Sequence, residues 1–166
     1  EKGALFVHGR GLTPGVSLHF AECCSPMPGD RIVGVLQPGR GVQVHVIDCE
    51  RLAAWEDDAN LANWIDLKWT PEADTRGVSV GRIHATVRNE PGVLSEIAGV
   101  VGDARGNITD VKTLARTRDF FEMAFDVEVF DARHLNNIVS ALKTSDRVVS
   151  AERARLSEDP ALKETA

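Results

Sequence analysis

The chain has 166 residues, 43% apolar and 27% charged, a globular composition that excludes collagen-like and low-complexity architectures. No apolar run approaches the roughly 18 residues needed to span a bilayer. A formal net charge of -6 repels phosphate backbones at long range, so a sequence-independent nucleic-acid binder needs a local basic patch on an acidic body.

The chain starts at Glu1 with neither a basic nor an apolar leader and reads as a fragment without a signal peptide. Residues 1–15, with the run Ala4 to Val7, suit either the end of a preceding helical region or a first strand. Cys23 and Cys24 follow, and with Cys49 they are the only cysteines. An odd number with an adjacent pair is a poor disulfide framework and suits metal binding or free thiols in a reducing cytoplasm. Arg31 to Leu36 and Val42 to Ile47 are β-rich runs, and Gln37-Pro-Gly-Arg-Gly41 between them suits a hairpin loop. Asp48 is placed to cap a short helix through Trp55, and Trp64 to Trp69 alternates as a strand.

Thr70 to Gly77 has linker composition. It also separates two unlike halves: residues 1–75 hold 6 Lys or Arg against 11 Asp or Glu, residues 76–166 hold 13 against 14. Beyond it, Ile83, Ala85 and Val87 mark a strand, and Asn89-Glu-Pro-Gly92 a break. Leu94, Ile97, Ala98, Val101 and Ala104 form one face of a helix closed by Gly106. Asn107 to Ala115 is a strand, Arg116 to Asp119 a turn, and Phe121, Met123, Phe125, Val127 and Val129 give the clearest alternation in the chain. Asp131 caps a helix with Leu135, Ile138, Val139 and Leu142 on one face, and Val148 to Arg155 is a final strand. The expected class is α+β, the second half being a ferredoxin-like βαββαβ domain with both helices on one face of the sheet. Domain boundaries are expected at 1–70, a linker at 71–77, 78–155, and a flexible tail at 156–166.

Asn89-Glu-Pro-Gly-Val-Leu-Ser-Glu-Ile-Ala98 resembles the signature of the ACT domain. In the first half, His19-Phe-Ala-Glu-Cys-Cys-Ser-Pro-Met-Pro-Gly-Asp30, Ile32-Val-Gly34, Gly39-Arg-Gly-Val42 and His45-x-x-x-Cys49 resemble the conserved-cysteine, zinc-finger-like module of the RelA/SpoT-homologue alarmone enzymes. The two resemblances cover about residues 16–155. They imply the regulatory C-terminal end of a cytoplasmic (p)ppGpp synthetase/hydrolase of the stringent response, allosterically coupled to catalytic domains of its own that are absent here. Neither the His-Asp pair of a metal hydrolase nor a pyrophosphate-transfer site is recognisable, so no catalytic residue is expected.

Within that resemblance, Cys23, Cys24, His45 and Cys49 supply a Cys3His set for one structural zinc, with His45 ending a strand and Cys49 beginning a helical turn. Adjacent cysteines in an extended strand point to opposite faces, so Cys23-Cys24 must sit in a bend. His19 is a rival ligand, and the alternative is that the cysteines are small buried hydrophobes around a strand histidine. The ACT resemblance implies homodimerisation and an amino-acid site at the interface: Asn89, Gly92, Val93 and Leu94 at the helix start, Asn107 and Ile108 from the partner, with valine, isoleucine or leucine as ligand. It also implies contact with the ribosome and tRNA, for which Arg31, Arg40, Arg116, Arg118, Arg133 and Arg147 are the available cations. No membrane association is expected.

Overall fold

The computed structural model of the chain describes residues 7–13, 15–53, 63–71, 73 and 77–154. The chain divides into two compact units, with the second spanning Val78–Ala154.

The first unit is built on a five-stranded sheet: β1 (Val7–Gly9), β2 (Leu18–Phe20), β3 (Ile32–Gln37), β4 (Gly41–Val46) and β5 (Trp64–Trp69), in the order β1-β5-β3-β4-β2. The hairpin read from the sequence is β3–β4, antiparallel from Ile32–Val46 to Gln37–Gly41, closed by Arg40 N donating to Gln37 O. β2 pairs with β4 in parallel, Leu18 against Val42 and Phe20 against Val44. Both sheet faces carry apolar clusters. Ile32, Val42, Val44 and Leu67 lie in one, with Val7; Val33 and Val35 lie in the other, with Cys23, Cys24, Cys49 and Leu52. A sheet covered on both sides cannot alternate apolar and polar cleanly, and the Ile-Val-Gly-Val run of β3 is buried at all four positions. The helix after β4, α1, spans Glu50–Ala53, so Cys49 rather than Asp48 immediately precedes it; Trp55 lies outside the described residues.

The second unit runs β6 (Ser79–Arg88), α2 (Val93–Asp103), β7 (Asn107–Arg116), β8 (Phe120–Val129), α3 (Ala132–Lys143) and β9 (Val148–Arg153). The antiparallel sheet has the order β7-β8-β6-β9, the expected βαββαβ topology. Ile83, Ala85 and Val87 of β6 stand opposite Phe125, Met123 and Phe121 of β8, and this face packs with Leu135, Ile138 and Leu142 of α3, all buried. Asp131 caps α3, its Oδ1 accepting from His134 N at 2.7 Å. On the other face Arg82 and Asp126, directly opposite in register, form a two-bond ion pair at 2.7 and 3.1 Å.

Two details of α2 differ from the sequence reading. Its buried positions are Val93, Ile97 and Val101, while Leu94 is 52% exposed; the apolar stripe is rotated by one residue. Past its C-cap Ala104 the chain also leaves the helix through Arg105, whose φ of 65° is left-handed, with Gly106 N closing onto Val101 O at 2.9 Å. Gly106 is needed for space, because a Cβ there would stand 2.8 Å from Ile138 and Val127.

Candidate functional site

Three segments bring the cysteines and His45 together. Cys23 and Cys24 sit in a turn, as their adjacency requires: Ser25 N donates to Ala21 O at 3.0 Å, and Ser25 itself takes a φ of 42°. His45 comes from β4, opposite Val33. Cys49 lies where the chain turns out of β4 into α1, its N–H donating to Val46 O and its carbonyl accepting from Leu52 N.

The four side chains converge. Cys23 Sγ lies 3.5 Å from His45 Nδ1 and 3.6 Å from Cys49 Sγ, Cys24 Sγ lies 3.8 Å from His45 Nδ1, and all four ligand atoms fall within 4.8 Å of one another. All four residues are buried. The Val46 N–H donates to Cys24 Sγ at 3.3 Å. Burial pushes the Cys23 and Cys24 thiols up, and the neighbouring Cys49 adds to the effect on both. Burial, then the Arg51 guanidinium, pushes His45 down. Without an ion these groups are therefore held neutral; a divalent cation reverses that preference by stabilising thiolates. The arrangement is a buried Cys/His group that can hold a metal ion.

His19, the rival ligand, is not part of the group. It lies on β2 and lines a cavity of about 510 Å³ whose wall also includes Cys23, His45 and Arg51.

The positions expected to hold an amino acid fall at two separate places in the second unit. Asn89, at the end of β6, donates through Nδ2 to Thr117 O at 2.8 Å, and its N–H donates to Asp119 O at 3.0 Å. It ties the helix-start loop to the β7–β8 turn and does not cap α2. That place is taken by Gly92, whose φ of 84° is left-handed and which makes no side-chain cap bond. Val93 is buried, and its amide donates to Glu90 O at 3.3 Å, so one of the three expected amides is engaged within the chain. Asn107 starts β7 and donates to Glu128 Oε2 at 2.9 Å, with Ile108 beside it half-buried.

Arg88, next to Asn89, stands opposite Phe120, whereas Asn107 stands opposite Glu128 of the same strand β8. Eight residues of strand separate those partners, about 27 Å at the usual rise. One copy therefore cannot bring Asn89 and Asn107 to a single ligand.

A charged group not evident in the sequence also surrounds the start of α2. Arg147 lies 3.6 Å from Glu90 and 3.4 Å from Glu96, and donates to Pro91 O at 3.2 Å. Ser145 donates to Glu96. Arg147 is 51 residues beyond Glu96, and nothing local signals their encounter.

Among known proteins, residues 7–70 match the RelA/SpoT RIS domain and residues 80–153 match the ACT domain. The chain is 40% identical over 144 residues to the GTP pyrophosphokinase rsh of Brucella ovis, covering 87% of this chain and 19% of that protein. It is 28% identical over 154 residues to the GTP pyrophosphokinase of Escherichia coli K12, covering 92% of this chain and 20% of that one. The chain thus spans about a fifth of the length of these relatives. A crystal structure of the ACT domain from the GTP pyrophosphokinase of Chlorobium tepidum matches 46% of this chain and 99% of its own, with 19% identity and a TM-score of 0.41. With a RelA/SpoT RIS domain followed by an ACT domain, the chain belongs to the RelA/SpoT family of GTP pyrophosphokinases and corresponds to its C-terminal regulatory region.

Proposed function

We propose that this chain is the sensing part of a cytoplasmic (p)ppGpp synthetase/hydrolase: a zinc-stiffened RIS domain, and an ACT domain that dimerises, binds a branched-chain amino acid and relays its presence to catalytic domains of the full-length protein. For zinc, the supporting observation is the spacing of the donors. A tetrahedron with Zn–S of about 2.3 Å and Zn–N of about 2.0–2.1 Å has S–S edges of about 3.8 Å and S–N edges of about 3.5 Å, against 3.6 Å between Cys23 and Cys49 and 3.5 and 3.8 Å from His45 to Cys23 and Cys24. Four protein ligands leave no open position, so the ion would brace the Cys23-Cys24 turn, the end of β4 and the start of α1 rather than catalyse.

For the ACT domain, the observation that carries the reading is strand β7. It is ten residues long, lies at the edge of its sheet, and leaves Val111 and Leu114 51% and 38% exposed. A long edge strand with exposed apolar side chains is a template for another strand. Antiparallel pairing of two β7 strands about a two-fold axis would bring Asn107 of one copy to the Arg116 end of the other, the end of the sheet where Asn89 and the start of α2 lie. Asn89 Nδ2 is engaged with Thr117, which leaves Oδ1 to accept from a ligand ammonium. The ligand carboxylate would take amides at Gly92 to Leu94, and exposed Leu94 offers an apolar contact. Glu90 and Glu96 at this helix start disfavour a second ligand carboxylate, which favours valine, isoleucine or leucine over aspartate.

Calorimetric titration of the chain with these amino acids, with aspartate and lysine as controls, tests the sensing role. A dimer that gives no heat with any aliphatic amino acid at millimolar concentration would leave dimerisation and ribosome or tRNA docking as the function.

A further inference from the structure

His19 stands outside the Cys/His group, yet the sheet turns it toward the same cluster. It lies opposite Gln43 in the parallel β2–β4 pair, and Gln43 is two residues before His45 on β4. Residues two apart on a strand point to one face, so His19, Gln43 and His45 share a side of the sheet. The cysteines are on that side too. Val33 and Val35 stand opposite His45 and Gln43, and both pack in the cluster with Cys23, Cys24 and Cys49. At the usual strand rise and spacing, the backbones of His19 and His45 are about 8 Å apart.

The group itself is closed: its four residues are between 1% and 7% exposed. Solvent-accessible space reaches it where the cavity of about 510 Å³ touches Cys23 and His45, and exposed His19, Glu22 and Arg51 form the wall around them. That space has room for an ion with about six waters at about 30 Å³ each. Glu22 and Arg51 bring one charge of each sign, which leaves the imidazole of His19, the commonest kind of metal ligand, as the wall group suited to hold an ion there. We propose that this cavity is the route by which a divalent ion enters and leaves the Cys/His group, and that His19 holds the ion in transit. His45 and Cys23, on the wall, take it first, and Cys24 and Cys49 complete the set from behind. The proposal rests on the coordination inferred above and adds the path to it. A group that touches the ion only in transit lowers the barrier equally in both directions. Its removal slows binding and release by one factor and leaves affinity unchanged, whereas removal of a true ligand changes affinity.

The test uses the intact chain and cobalt(II), with binding followed by stopped-flow through the sulfur-to-metal absorption and release followed as that band decays in excess chelator. His19 is exposed, so its substitution leaves the core in place. His19→Ala is expected to slow both rates about tenfold, the effect of a barrier raised by about 1.4 kcal/mol, with the dissociation constant unchanged. His19→Cys, which restores a ligating side chain, should recover much of the rate, and His19→Trp, which also narrows the mouth, should be slower than His19→Ala. His8→Ala is the control, an exposed histidine on β1 at the other edge of the same sheet, and should change neither rate. Weaker binding with an unchanged association rate would make His19 a ligand of the loaded group and overturn the transit role. Rates that stay at the parent value in both His19→Ala and His19→Trp would overturn the route as well, while a normal cobalt band left the metal group standing. Absence of that band in the unsubstituted chain would overturn the coordination and the route together.

Discussion

Cys23 Sγ and His45 Nδ1 stand 3.5 Å apart because a left-handed Ser25 folds the Cys23-Cys24 turn back while β4 aims His45 into the same cluster. The freshly purified, reduced chain is therefore expected to carry one equivalent of zinc by elemental analysis. Cys49→Ser, which leaves three ligands, is expected to lose it. Chelation should abolish hydrogen-exchange protection first in residues 21–25 and 47–53, the segments that carry the three candidate cysteine ligands. The second sheet face, packed around Ile32, Val44 and Leu67, and the whole of residues 78–154 should keep theirs. Uniform protection with and without metal would show that the cysteines are only small buried side chains.

Asp131 caps α3 through a 2.7 Å bond from the His134 amide. Asp131→Ala is expected to destabilise the ACT domain by about 1 kcal/mol and to lower its melting temperature by about 4–8 °C, read from the thermal transition of that domain. An unchanged transition would mean that solvent or another side chain replaces the cap.

That cap was legible from the sequence because it is local: a short acceptor three residues before the amide it receives. So was β8, whose covered face is set by strict alternation from Phe121 to Val129. Leu94 misled, since an apolar residue beside Pro-Gly looks like core, and only packing reveals that Val93 points inward instead. Three-residue β2 carries too few positions to show a period, and its parallel partner β4 lies over twenty residues away. The Cys/His group was legible as a set of residue types, while the bend that joins Cys23 to Cys24 followed from adjacency alone.

Edge strand β7 carries the dimerisation reading. Replacing its exposed apolar residues with Val111→Glu and Leu114→Glu places like charges across any antiparallel β7–β7 pairing, and both side chains already face solvent in one copy. The double variant is expected to sediment as a monomer at concentrations where the parent chain is a dimer, with an unchanged circular dichroism spectrum. A dimer that survives both charges would place the contact on another surface.

The opposite-end placement of Asn89 and Asn107 makes the shared site testable by mixing. Removing one hydrogen bond to a charged ligand group costs about 1.5–3 kcal/mol, one to two decades of affinity, so Asn89→Ala and Asn107→Ala are each expected to weaken branched-chain amino-acid binding by that amount. If every site takes Asn89 from one copy and Asn107 from the other, a heterodimer of the two variants holds one site with both alanines and one with both asparagines. Mixing equal amounts and allowing the subunits to exchange should therefore return high-affinity binding at about a quarter of the sites of the unsubstituted protein, since half of the dimers are heterodimers. A calorimetric titration of the mixture reads that stoichiometry directly. If both variants lose affinity but their mixture regains none after exchange, the asparagines do not share a ligand across a dimer. If neither variant loses affinity, the amino acid binds away from both.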